Sequence, residues 1–347
     1  MVRVNAQRWP ALLGAFVLAA TGAVLPDGAV AARSALVPAC LAVSPDSGGV
    51  HDSWSSAAPT TTPRYFLAAA TDCDGTVYAL GGWAATTPSP GPSDFARSDL
   101  VENYDPGSGS WTTVPALWSA RARLAAVTDE DGRIWAIGGG DDASSGRAVE
   151  VYTPGYGAWQ ATPSLPVEMP VPSAASDAAG NVYVFDGDET AIFDADSRTW
   201  RTGPPMPTPR EGGVAATGAD GRVYVIGGYT TAEPDVPTST VEVYTPSTRE
   251  WSQAAPMPGP KGRAAGATAP DGRIFVFGGA SEPGETPTAV TYVYAPGTDR
   301  WEPAESMPHT RDCAAAAVGG DGRIYLVGGT EGDAVSTATT DVDVYTP

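Results

Sequence analysis

Two tryptophans and a handful of arginines are the side chains of this 347-residue sequence best suited to holding a ligand. Trp83 and Trp118 have no counterpart at the repeated positions set out below, and Arg121 and Arg123 follow Trp118 closely. A flat aromatic face beside guanidinium donors suits a sugar ring that bears a carboxylate. Arg263 and Arg311 stand at related positions later in the chain and complete the candidate ligand set. Motif-borne chemistry is absent: no CxxC, HExxH, GxSxG or phosphate-loop spacing occurs, and His51 and His309 are the only histidines. Thiol redox, zinc-protease, nucleophile-elbow and nucleotide chemistry therefore have no sequence support, and no metal or cofactor is implied. The 40 acidic residues are numerous enough for a paired-carboxylate hydrolase, a class defined by separations in space.

These residues sit on a repeated frame. An aromatic and a tryptophan recur seven apart at Tyr104/Trp111, Tyr152/Trp159, Phe193/Trp200, Tyr244/Trp251 and Tyr294/Trp301. A turn Asp and a Gly recur seven apart at Asp74/Gly81, Asp131/Gly138, Asp220/Gly227, Asp271/Gly278 and Asp321/Gly328. Repeats of about 50 residues with this content suggest propeller blades. The diglycine, tyrosine and tryptophan signature resembles the kelch family over roughly Trp54 to Pro347, and the resemblance implies an all-β, kelch-type β-propeller. Near-continuous apolar runs such as Ile274-Phe275-Val276-Phe277 fit strands covered on both faces. Asp-Gly fits a tight turn needing positive φ, diglycine fits close backbone passage, and the Trp fills the wedge between blades.

Six inner strands are expected to begin at Arg64, Arg121, Met169, Arg210, Lys261 and Arg311, each ten residues before a turn. The last repeat stops after its third strand, and Trp54, ten residues before Arg64, supplies the missing one. The ring is therefore expected to close by an N-terminal strand completing the last of six blades. The third repeat departs from the others: Met169 replaces the cation, Asp186-Gly187 replaces diglycine, and the following loop shortens.

Loops joining strands two to three and four to one share a face. There the basic residues Arg64, Arg121, Arg123, Arg210, Lys261, Arg263 and Arg311 form an expected cationic funnel, ringed by acids such as Asp94, Asp141, Asp188, Glu233, Glu282 and Asp333. A basic residue entering strand one is common in the kelch repeats this chain resembles, so buttressing between blades also explains the strand-start cations. Arg123 and Arg263 are extra to the repeat and are the stronger candidates for ligand contact. Copper-radical oxidases built on kelch propellers need a histidine pair and a tyrosine–cysteine cross-link; His51 and His309, expected on opposite faces, argue against that chemistry. The chain also resembles kelch-type sialic-acid epimerases, which are exported six-bladed propellers. That resemblance implies Glu211 as a base, with Arg210 or Arg263 holding a substrate carboxylate. The main reading is a secreted binding propeller that recognises a glycan or protein ligand on the loop face around the channel mouth. The alternative is an exported epimerase acting on an acidic sugar.

Residues 1–31 carry Arg3 and Arg8, an apolar run and Ala29-Val30-Ala31, the pattern of a secretory signal peptide. Residues 32–50 read as an extended lead-in and 51–347 as the propeller. The formal charge of -20 becomes -21 without the leader, which argues against nucleic acid and anionic membrane as partners. No later segment offers a membrane span, and nothing specifies an oligomeric state. Export favours a disulfide among three cysteines. Cys73 and Cys313 fall on opposite faces, so Cys40–Cys73 is the expected pair, with three free thiols as the alternative.

Overall fold

The computed structural model describes residues 52–140, 144–231, 236–282, 286–332 and 337–347. Six four-stranded antiparallel sheets dominate them. The inner strands Ala68–Thr71, Ala125–Thr128, Ser173–Ser176, Val214–Thr217, Ala265–Thr268 and Ala315–Val318 touch one another in a closed cycle. The architecture is a six-bladed propeller. Blades one to six are numbered here from Ala68–Thr71. Their second strands, Val77–Leu80, Ile134–Ile137, Val182–Asp186, Val223–Ile226, Ile274–Phe277 and Ile324–Val327, are buried at every residue, as continuous apolar runs sandwiched between neighbouring blades must be.

Ring closure follows the expected route. Ser53–Ser56 pairs antiparallel with Val342–Thr346 and sets Trp54 opposite Tyr345, just as Trp111 stands opposite Tyr104 in blade one. Each outer-strand indole also staples its blade to the one before. Trp111 donates to the Ala58 carbonyl at 2.7 Å, Trp159 to Pro115 at 2.7 Å and Trp301 to Ala255 at 2.8 Å. Trp54 makes the same bond to Glu305 at 3.1 Å, so the N-terminal strand occupies a true blade position. At the seam between blades six and one, Gly320 donates to the Gly75 carbonyl at 3.0 Å. A Cβ on Gly320 would come within 2.6 Å of the Gly75 Cα, so only bare backbone fits there.

Hydroxyl groups lace the inner strands together toward the turn face. Thr128 donates to the Thr71 carbonyl, Ser176 to Thr128, Thr217 to Ser176 and Thr268 to Thr217, at 2.6, 2.6, 2.7 and 3.0 Å. Val318 breaks the series because it has no hydroxyl, and the next group along, the Thr71 hydroxyl, is buried without a hydrogen-bond partner among the described residues. Small side chains from all six inner strands line about 860 Å³ of open channel at this end.

Candidate functional site at the loop-face mouth

The cationic funnel expected from the sequence does not form. Arg64, Arg121, Arg210 and Arg311 are at most 2 % exposed, and each is spent on a carboxylate of the third strand of its own blade. The pairs are Arg64–Glu102 at 2.7 Å, Arg121–Glu150 at 2.9 Å, Arg210–Glu242 at 2.5 Å and Arg311–Asp343 at 2.8 Å. The guanidinium also binds the carbonyls where the chain leaves strand two and enters strand three. Arg121, for example, donates to Gly138 at 2.8 Å and Ala148 at 3.2 Å. Arg121, Arg210 and Arg311 are therefore buttresses rather than ligand contacts. The signal was present in the sequence, two residues before each strand-three aromatic: Glu102, Glu150, Glu242 and Asp343 accompany arginine, Ala191 accompanies Met169, and Tyr292 accompanies Lys261. Lys261, lacking a carboxylate, bonds the Thr288 hydroxyl and lies 5.7 Å from the Tyr292 ring centre. Burial lowers its pKa to about 8.

Two residues beyond each buttress the chain turns across the channel. Phe66, Arg123, Gly212, Arg263 and Cys313 have φ of 52°, 60°, 61°, 56° and 53°, the left-handed region that non-glycine residues seldom occupy. This conformation lets successive blades bond backbone to backbone around the mouth. Arg263 donates to Gly212 at 3.2 Å, Cys313 to Arg263 at 3.0 Å, Phe66 to Cys313 at 2.8 Å and Arg123 to Phe66 at 2.8 Å. Blade three breaks the garland. Its residue is Val171, whose branched Cβ disfavours positive φ, and its N–H turns instead to Asp186 Oδ2 at 2.8 Å. The sequence changes of this repeat are thus one coupled local rearrangement. Burial, with the Glu211 charge adding to it, raises the Asp186 pKa to about 7.

The mouth so framed holds about 490 Å³ of open space bounded by Phe66, Arg123, Val171, Gly212, Arg263 and Cys313, one residue from every blade. Arg123 is exposed and lies 5.2 Å from the Phe66 ring centre. Arg263 is partly exposed, pairs with Asp312 at 3.1 Å and lies 5.4 Å from the ring centre of Tyr229. Glu211, half-buried, follows the buttress Arg210 in a short strand paired with Tyr229–Thr230. Arg123 and Arg263 are the sequence candidates that border the mouth, and Glu211 precedes the bordering Gly212.

Trp83 belongs to a three-stranded loop sheet of Arg64–Tyr65, Trp83–Ala85 and Phe95–Arg97, in which it faces Tyr65. Tyr65 in turn packs 5.7 Å from Phe66 and 5.3 Å from Phe95, so an aromatic path runs from this sheet to Arg123. Trp118 is 64 % exposed, with its backbone N–H fixed by Glu150 at 2.8 Å. Cys313 keeps a free, buried thiol, which burial pushes well above its usual pKa. The leader, the lead-in, Cys40, His51, Asp141, Glu233 and Asp333 lie outside the described residues.

The KLHDC2/KLHL20/DRC7 Kelch-repeats domain model matches residues 174–347. Human Kelch-like protein 28 is 33 % identical over 94 residues, a stretch that covers 27 % of this chain and 16 % of that protein. Among solved structures, YjhT superposes with a TM-score of 0.66 at 16 % identity over 83 % of this chain and 96 % of that one. A fungal alcohol oxidase of the AA5 family, solved in complex with copper, gives 0.58 at 20 % identity over 81 % of this chain and 62 % of that one. At these identities the two structural likenesses speak for the fold alone.

Proposed function

Since the chain belongs to the kelch-repeat family, we propose that it is an exported binding propeller whose loop-face mouth takes a carboxylate-bearing glycan. The observation that carries this reading is the placement of Arg123 and Arg263. Both guanidiniums lie outside the buttress series, stand on left-handed backbone and border the basin. Backbone strain held at a rim is a mark of functional positions, and paired cations over aromatic rings suit a sugar acid. Trp83 and Trp118 extend the surface on the blade-one side. Export rests on the signal-like residues 1–31, and with it goes the Cys40–Cys73 disulfide, worth about 3 kcal/mol by loop closure.

One observation favours a second reading, an epimerase acting on such a sugar. Asp186, with a pKa of about 7, and Glu211 stand together at the gap in the garland, where an acid and a base would be needed. A glycan array probed with the purified protein tests both. Binding confined to carboxylate-bearing glycans is expected, with Trp83→Ala and Trp118→Ala each weakening it by about 1–3 kcal/mol while the melting temperature holds. An array with no preference for acidic glycans contradicts the binding reading. NMR of a bound sugar that shows epimeric conversion selects the enzyme.

A further inference from the structure

Blade six departs from its sister blades in charge. In blades one, two and four the buried arginine faces one strand-three carboxylate. Arg311 instead meets two, Asp343 at 2.8 Å and Glu331 at 3.4 Å, and His309 and Asp341 stand beside them. The place of Asp341 is held by Leu100, Ala148 and Thr240 in those three blades, and that of His309 by Thr62, Ser119 and Thr208. The cluster is thus an addition to the repeat. Three carboxylates against one guanidinium leave a double negative charge that a divalent cation would balance.

The geometry points to a divalent transition-metal site formed by His309, Glu331 and Asp341. One ligand atom from each lies within 4.8 Å of the other two. On a zinc ion, with bonds of about 2.0–2.2 Å, the three must draw together, and His309 and Asp341 are exposed enough to do so. Asp343 supplies an independent pointer. Its side chain is 3 % exposed, and its Oδ2, ion-paired with Arg311, makes no hydrogen bond among the described residues and lies 4.0 Å from His309 Nδ1. A carboxylate beside one imidazole nitrogen, able to accept its N–H on a small closure, favours metal binding through the other. In blade four the same carboxylate position is served by the Thr208 hydroxyl, 2.8 Å from Glu242. Imidazole with two carboxylates selects zinc-like ions over calcium or magnesium. The three ligands come from the connection out of blade five, the loop after Ile324–Val327 and the residue before Val342–Thr346. The ion therefore ties together the blade that closes the ring.

Chelator-stripped protein titrated with ZnCl₂ by calorimetry, with thermal unfolding alongside, tests the site. The expected result is one Zn²⁺ per chain and a raised melting temperature. His309→Ala and Asp341→Asn should each weaken binding at least ~10-fold, the scale of losing a zinc-site contact, with the zinc-free melting temperature unchanged. His51→Ala, which removes the other histidine, should bind as wild type does. Absence of saturable binding near one ion per chain, zinc binding unaltered in His309→Ala, loss of binding in His51→Ala, or tighter binding of CaCl₂ than of ZnCl₂ would each overturn the assignment.

Discussion

Arg121 and Arg123 lie two positions apart and do opposite things. Arg121 is sealed against Glu150, while Arg123 opens onto the basin. Desolvating an ion pair yields little net stability, but removing one partner strands a buried charge and costs about 3–5 kcal/mol. Glu242→Gln, in the fully buried pair of blade four, should therefore destabilise by about that much in urea unfolding. Arg210→Met with Glu242→Ala, which copies Met169 and Ala191 of blade three, should recover most of the loss. A Glu242→Gln variant as stable as wild type would show that the pair is not needed. Asp186 gives a pH prediction. Its folded pKa of about 7 lies above the ordinary carboxyl value of 3.8, so between those values the folded state holds a proton that the unfolded state has released. Stability from this group is present at low pH and is lost as pH rises toward 7. Asp186→Asn should melt higher than wild type at pH 8, with the gap closing near pH 4; a gap independent of pH contradicts the shift.

The strands were far more legible than the mouth. Aromatic and tryptophan spacing located every blade because those side chains meet across strands three and four in fixed register, as at Tyr244 and Trp251. The closing strand was legible for the same reason, since Trp54 filled a vacancy in a periodic series. If that strand completes blade six, deleting residues 32–62 should expose the Val342–Thr346 edge, remove the Trp54 staple and produce aggregation or a large fall in melting temperature. A truncated protein that stays monomeric with unchanged melting contradicts closure. Buttressing by the strand-start arginines was legible in the sequence, but their partners, some thirty to forty residues on, are marked only by the carboxylate, Ala and Tyr alternation two residues before the strand-three aromatic. The garland at the mouth carried no such signal. Phe66, Arg123, Gly212, Arg263 and Cys313 share a backbone conformation and no chemistry, so nothing in their side chains marks them as equivalent.

At the scale of the whole molecule, hydrogen-bonded series run around both ends of the channel, of hydroxyls toward the turn face and of backbone amides at the loop face. Each is interrupted, at Val318 and at Val171 respectively. The scaffold neutralises four of its own arginines in fully buried pairs, while Arg123 is exposed at the basin and Arg263, partly exposed, shares its charge with Asp312. That division between scaffold cations and ligand cations is the core of the functional account. It is tested most directly by titrating a sialylated glycan and its desialylated counterpart against wild type and the Arg123→Ala/Arg263→Ala double variant. The account predicts that wild type binds the sialylated form preferentially and that the double variant, folded by circular dichroism although less stable for want of the Arg263–Asp312 pair, loses this preference. Equal binding of the two glycans by wild type, or undiminished preference in the double variant, would contradict it.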